Sequence, residues 1–226
     1  MPPANDSRRA RSEVTRNALM RAAEKLIAEH GVANISIREI VASAGQKNES
    51  ALQYHFKNLT GLLEAIHAQR SEQVRAKREQ MLAAVLAHRP QPGLRELCTL
   101  MVEPTCQLAR EQIDFRRYVK AFGHELALTE SSPLRVISSK GGGGESGHQI
   151  GQLLRRELTH LDEDNYRRRM EAAIMLCSAS MYHQARQAQA FRGQQAELFL
   201  HNLIDALTGL LGAPVSAQTR ALSSQD

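Results

Sequence analysis

The segment from Ser36 to Phe56 leaves this chain few folds to choose from. It reads Ser-Ile-Arg-Glu-Ile-Val-Ala-Ser-Ala-Gly-Gln-Lys-Asn-Glu-Ser-Ala-Leu-Gln-Tyr-His-Phe. Ser36 and Glu39 have the S-x-x-E spacing of a capping box, in which each side chain satisfies a free backbone N–H at a helix start. Ile37, Ile40, Val41 and Ala44 follow at i, i+3, i+4 and i+7, one face of a short helix. Gly45 stands where a left-handed residue would end it. A second short helix can start near Asn48, with Leu52 and Phe56 inward and Lys47, Ser50, Gln53 and Tyr54 outward. Two short helices, a Gly turn and a polar outer face make a helix-turn-helix. In its DNA-binding form the second helix enters the major groove. An ordinary helical hairpin with a solvated face has the same spacing, so spacing alone leaves both readings open.

Composition narrows the class. Apolar residues are 42% and aromatics only 4%, with no Trp, which suits packed helices rather than sheets. The formal charge is +5. The first 57 residues hold nine Lys/Arg against six Asp/Glu, so positive charge is denser there, as a polyanion partner would require. Cys98, Cys106 and Cys177 are an odd number without a CxxC pair. They predict neither a disulfide framework nor a zinc site, but reduced thiols in a cytosol. No run of 18 apolar residues predicts a membrane span, and Met1 to Arg11 lacks the apolar core of a secretion signal.

Residues 12 to 70 resemble the N-terminal domain of the TetR family of bacterial transcriptional regulators. The matching residues are Ala22-Ala23, Leu26 and His30-Gly31, then Ser36-Ile37-Arg38-Glu39-Ile40-Val41 with Ala44-Gly45, then Leu52, Tyr54-His55-Phe56 and Lys57. Gln46 to Ser50 departs from the family's usual run, Gln53 stands where a Tyr is common, and Leu59 where a Lys is common. The base contacts of a relative are therefore not transferable. The resemblance implies an all-α chain: a three-helix DNA-binding domain, then a helical ligand-binding and dimerisation domain, coupled by a long helix.

Along the chain, residues 1–11, with Arg8, Arg9 and Arg11, read as a disordered basic arm. Residues 12–58 form the helix-turn-helix domain, its first helix running from about Ser12 to His30. Asn58 or Thr60 can cap a helix with no breaker until Pro90, long enough to be a mechanical link. Residues 59–212 form the second domain. Pro104 should kink or divide a helix ending near Glu111, and Asp114 can cap the next. Gly141 to Gly147 reads as a flexible loop: Lys140 precedes the glycines and no strand leads in, so the pattern is not a P-loop. Further helices follow from about Gly147 to Leu161, Asp164 to Gln189 and Gln194 to Leu211, and residues 213–226 read as a tail. The last helix is apolar on more than one face, from Leu198 to Leu211, which a second copy would cover in a four-helix bundle.

These readings predict a homodimeric, ligand-responsive regulator, a repressor on a palindromic stretch of double-stranded DNA. Lys47, Tyr54, His55 and Lys57 are candidates for phosphate positioning. Gln46, Asn48, Ser50 and Gln53 are candidates for base edges. Ser36 and Arg38, at the start of the first short helix, complete the DNA-binding set, with Arg38 near the flanking backbone. Met101, Phe115, Tyr118, Phe122 and Met175 are candidates for the pocket of an apolar or amphipathic effector. No nucleophile elbow, HExxH or dinucleotide fingerprint is present. We therefore expect no enzyme, cofactor or metal, and a cytoplasmic protein. A helical adaptor without DNA binding is the alternative.

Overall fold

The computed structural model describes residues 4–139 and 143–223, and every regular element among them is helical. The first helix, α1 (Ala4–His30), stops where Gly31 adopts φ +83°. The Asn34 side chain then donates to the freed His30 carbonyl at 2.8 Å. After a 3-10 turn (Val32–Asn34) come α2 (Ile37–Ser43), α3 (Ser50–Phe56) and α4 (Leu59–His88). Asn58 caps α4 by accepting from the Gly61 N–H at 2.9 Å. Its 30 residues span about 45 Å at 1.5 Å per residue. The remainder is α5 (Leu94–Glu111), α6 (Ile113–Phe122), α7 (Glu125–Leu128), α8 (Pro133–Ser139), α9 (Gly144–Glu157), α10 (Glu163–Ala185), α11 (Gly193–Gly212) and α12 (Ala217–Ser223).

Several elements differ from expectation. From Ala4 onward the presumed arm is helix, continuous with α1; residues 1–3 lie outside the described residues. Pro104 does not divide α5. Packing of that helix against α4, α6, α9 and α11 outweighs the one hydrogen bond a proline removes. Asp114 is not a cap: α6 starts one residue earlier, and Asp114 pairs with Arg117 within its first turn at 3.0 Å. Residues 140–142 are not described, but Gly144 to Gly147 is the first turn of α9 rather than loop. The presumed tail contains α12. Arg169 of α10 donates to the carbonyls of Leu210 and Leu211 at 3.2 and 3.3 Å, satisfying groups that the end of α11 leaves free.

Two apolar cores hold the chain. The first gathers Leu19, Ala23 and Ile27 of α1, Ile40 and Val41 of α2, and Leu52 and Phe56 of α3. Leu62 and Ile66 of α4 and Ala121 and Phe122 of α6 complete it. Each fully buried Leu or Ile contributes about 1.5–3 kcal/mol relative to exposure. The second core unites α5, α6, α9, α10 and α11 with Leu82 of α4. Thus no linker separates residue 58 from 59, and α6 belongs to both cores. Among the described residues no helix is long and apolar enough to cross a membrane.

Candidate DNA-binding surface

Short local contacts build α2. The Ser36 hydroxyl accepts from the Glu39 N–H at 3.2 Å. The Glu39 carboxylate accepts from the Ser36 N–H and hydroxyl, both at 2.7 Å. The hydroxyl's hydrogen bond, then that of the backbone N–H, holds the Glu39 carboxyl below its ordinary value. At the other end Gly45 has φ +68°. Its N–H donates to Ala42 and that of Gln46 to Val41, both at 3.0 Å. This paired closure is a Schellman motif, and it needs the left-handed residue that Gly supplies.

The third helix is set by its two ends and two anchors. Asn48 Oδ1 accepts from the Ser50 N–H at 3.1 Å and from the Ser50 hydroxyl, so Asn48 fixes the turn that leads into α3. Leu52 and Phe56 are buried. After Phe56 the chain turns at Lys57, whose φ is +68° and ψ −50°. The Asn58 N–H donates to the Phe56 carbonyl at 2.8 Å. This is a γ-turn of the rare, strained hand. It holds α4 close against α3: a Cβ on Gly61 would lie 2.1 Å from the Phe56 carbonyl oxygen.

The anchors leave one face of α3 outward. Ser50, Gln53 and Tyr54 are exposed on it, Tyr54 by 80%. Arg38, Lys47, Asn48 and Lys57 are exposed around it, as is Ser36, whose groups are occupied in the cap of α2. Two of the candidates are less exposed. Gln46 is half-buried, its amide donating to the Ala44 carbonyl at 3.3 Å. His55 is half-buried too; burial, then the charge of Arg16, holds its pKa below the ordinary value. Arg16 lies 5.5 Å from the centre of the Phe56 ring. The sequence reading missed it, because nothing local ties α1 to the end of α3.

Three of the five effector-pocket candidates, Phe115, Tyr118 and Phe122, form a run of ring contacts along α6. Phe115 is fully buried and Phe122 belongs to the N-terminal core, with the Tyr118 ring tilted between them at centroid distances of 5.8 and 5.4 Å. Met101 is half-buried in the second core, and Met175 is 38% exposed on α10. The aromatic stripe of α6 instead packs at a junction with α1 and α4. There His67 of α4 meets the Tyr118 hydroxyl at 3.3 Å and Glu125 at 3.4 Å. Deeper in, Arg70 of α4 holds Glu24 of α1 through two hydrogen bonds of 2.7 Å. Both residues are buried, and the guanidinium lies 5.8 Å from the Phe115 ring centre. Arg70 also donates to Gln73 at 2.8 Å, and Gln73 to Gln112 at 3.3 Å. Beside the pair opens a polar cleft of about 470 Å³, with Asn17, Gln69 and Asp114 on its walls. The sequence carried a signal for each of the two residues, though not for their pairing. Glu24 follows Met20 by four on the inward stripe of α1, and Arg70 follows Leu62 and Ile66 by eight and four on that of α4.

On the C-terminal helices, α11 buries Leu200, Leu203, Ile204, Leu207 and Leu211 and leaves Leu198 54% exposed. Leu198 and Phe199 face His183 and Gln184 of α10, and Gln187 just after it, across a cleft of about 520 Å³. Among the described residues no three His, Cys, Asp or Glu side chains are grouped to hold a metal ion.

A capped helix-turn-helix with a polar outward face, joined by a long helix to a second helical domain, is an arrangement that DNA-binding regulators use. Residues 19–66 match the family of bacterial regulatory proteins named the tetR family. The N-terminal domain is that of the tetR family, and the fold of the chain is that of its transcription regulators. A TetR family transcription regulator from Marinobacter aquaeolei VT8 shares 18% identity at a TM-score of 0.57, over 88% of this chain and 97% of that one. RolR, in complex with the ligand resorcinol, shares 17% identity at a TM-score of 0.51, over 96% of each chain. No curated protein matches the sequence.

Proposed function

We propose that the chain is a homodimeric repressor that binds a palindromic operator and leaves it when a small apolar or amphipathic molecule binds the C-terminal domain. The observation that carries this reading is the outward face of α3, with Ser50, Gln53 and Tyr54 exposed over the buried anchors Leu52 and Phe56. Gln53 is the base reader, because a side-chain amide pairs with adenine in the major groove. Arg38, Lys47, Tyr54 and Lys57 hold the phosphates on either side. Asn48 holds the helix start through its oxygen, which leaves its amide nitrogen for a base edge. Ser36 contributes by positioning the N-terminus of α2. The exposed side of α10 and α11 pairs two copies, so that two reading helices meet half-sites about one helical turn apart.

The effector acts by binding one arrangement of the domains better than the other. Because α6 belongs to both cores and α4 runs through both, a shift of either moves α3 relative to its twin. RolR shares this fold and is in complex with resorcinol, which supports a small organic effector. Selection from a random DNA pool with the purified protein tests the reading. An enriched palindrome is expected. Retention that depends only on salt, with no sequence enriched, would favour a helical protein whose reading head does not read.

A further inference from the structure

The cleft beside the Glu24–Arg70 pair is built by three elements: α1, α4 and the corner between α5 and α6. Its volume of about 470 Å³ falls at the small end of the range for small-molecule sites. The buried pair stands at its deep end, and the exposed Arg21 and Glu111 stand at its mouth. A chain of hydrogen bonds runs from Glu24 through Arg70 and Gln73 to Gln112, from α1 across α4 to the α5–α6 corner. These side chains are therefore fixed before any ligand arrives, which lowers the ordering cost of binding. Apolar surface is open here too. Ile113 lines the cleft and is 56% exposed, and Met20 lies beside the pair.

The charges around the cleft are divided by sign between its elements. The α5–α6 corner carries Glu111 and Asp114. Glu111 reaches Lys77 only at 3.4 Å. Asp114 gives one oxygen to Arg117 at 3.0 Å, and its other oxygen accepts no hydrogen bond among the described residues. Glu24 is close enough to feel that charge. Its carboxyl is raised above the ordinary value by burial first, against the pull of Arg70, and then by Asp114. A cation placed between these carboxylates would be stabilised by both. On α1 the sign is reversed. Arg21 has no carboxylate partner among the described residues, and a guanidinium is suited to bind a carboxylate through two parallel hydrogen bonds. Asn17 stands one turn before it on the same face of α1 and offers an amide donor to the same cleft.

We infer that this cleft binds a free α-amino acid with an apolar side chain, its ammonium toward Asp114 and Glu24, its carboxylate toward Arg21 and Asn17, and its side chain on Ile113. A molecule with one charge leaves the opposite sign unanswered: a lone anion meets the carboxylates, and a lone cation meets Arg21. The site is separate from the effector site proposed for the C-terminal domain and does not rest on it. Because α1 belongs to the first core and α5 to the second, a zwitterion bound between them ties the reading head to the second domain. It would give the chain a second small-molecule input.

The test is calorimetric titration of the full-length protein, without DNA, with L-leucine and with L-phenylalanine. Each is compared with its two singly charged analogues: isoamylamine and isocaproate for leucine, phenethylamine and hydrocinnamate for phenylalanine. Saturable binding of at least one of the amino acids, one molecule per chain, is expected, about tenfold or more tighter than either analogue. Arg21→Gln and Asp114→Asn should each weaken it about tenfold, and Arg21→Lys should keep more of the affinity than Arg21→Gln. Neither Arg21 nor Asp114 is buried, so the Tm of the unliganded variants should move little. No saturable binding of either amino acid, an amine or acid bound as tightly as its amino acid, or full affinity in Arg21→Gln or Asp114→Asn would each overturn the assignment. Operator selection is run without these ligands, so failure here is distinguishable from failure of the regulator reading.

Discussion

The reading head and the domain junction are held together by opposite means. In α2 and α3 the polar contacts join residues two to five apart: Ser36 with Glu39, Asn48 with Ser50, Gln46 with Val41. Each is worth about 1 kcal/mol and leaves the outer face free to meet another molecule. At the junction one ion pair joins residues 46 positions apart with both partners buried. Such a pair adds little over apolar packing but is expensive to break. The head can therefore change its surface at little cost to folding, whereas the junction tolerates only arrangements that keep Glu24 on Arg70.

The largest effect should come from splitting that pair. Glu24→Ala leaves a buried guanidinium without its carboxylate and is expected to cost about 3–5 kcal/mol. Thermal unfolding should show this as a fall in Tm of roughly 6–20 °C. Replacing both residues, Glu24→Met with Arg70→Leu, should recover most of the loss. A double variant as unstable as the single one would mean that the pair is not what the junction depends on.

Next is the joint between the two regions. Gly61→Ala puts a methyl against the Phe56 carbonyl and should cost about 1–3 kcal/mol in urea unfolding, as overpacking does. It should also lower DNA affinity by tilting α3. Unchanged stability would show that the strained turn at Lys57 relaxes freely. On the head itself, Tyr54→Ala should leave Tm unchanged, since the ring is 80% exposed, and weaken binding to every DNA sequence alike. Loss confined to one base position would move Tyr54 from backbone contact to direct readout.

The smallest effect is the capping box. Ser36→Ala should cost about 1 kcal/mol. It should also flatten a pH dependence. Glu39 has a carboxyl pKa depressed by Ser36 from its ordinary value of 4.5. Its stabilisation is therefore present above that pH and is lost as pH falls through the lower folded value. Unfolding curves between pH 3 and roughly 6 should converge for the two proteins at the acid end. Parallel curves would show that the box does not titrate.

The same contrast explains what could be read from the sequence. The capping box, the Gly45 closure, Leu52 and Phe56 as anchors and the length of α4 follow from spacing within a turn or two, and the structure has each of them. Glu24 and Arg70, the stacking of Arg16 on Phe56 and the meeting of Gln73 with Gln112 join residues dozens of positions apart, where periodicity carries no information about partners. The aromatic stripe of α6 shows the same limit. Its spacing identifies a buried face but not whether that face meets a cavity or, as here, α1 and α4. Gln46 and His55, both candidates for DNA contact, are half-buried, and no local spacing shows that Gln46 folds onto the Ala44 carbonyl or that Arg16 of α1 stands near His55.

The central claim is that α3 reads bases through Gln53 while the junction only positions it. Binding-site selection with Gln53→Ala, with its thermal unfolding measured alongside, tests this most directly. We predict the wild-type Tm and loss of preference at one base pair in each half-site, worth about 1–3 kcal/mol. An unchanged consensus with uniformly weaker binding would contradict the claim, because Gln53 would then be another backbone contact and the sequence would be read elsewhere.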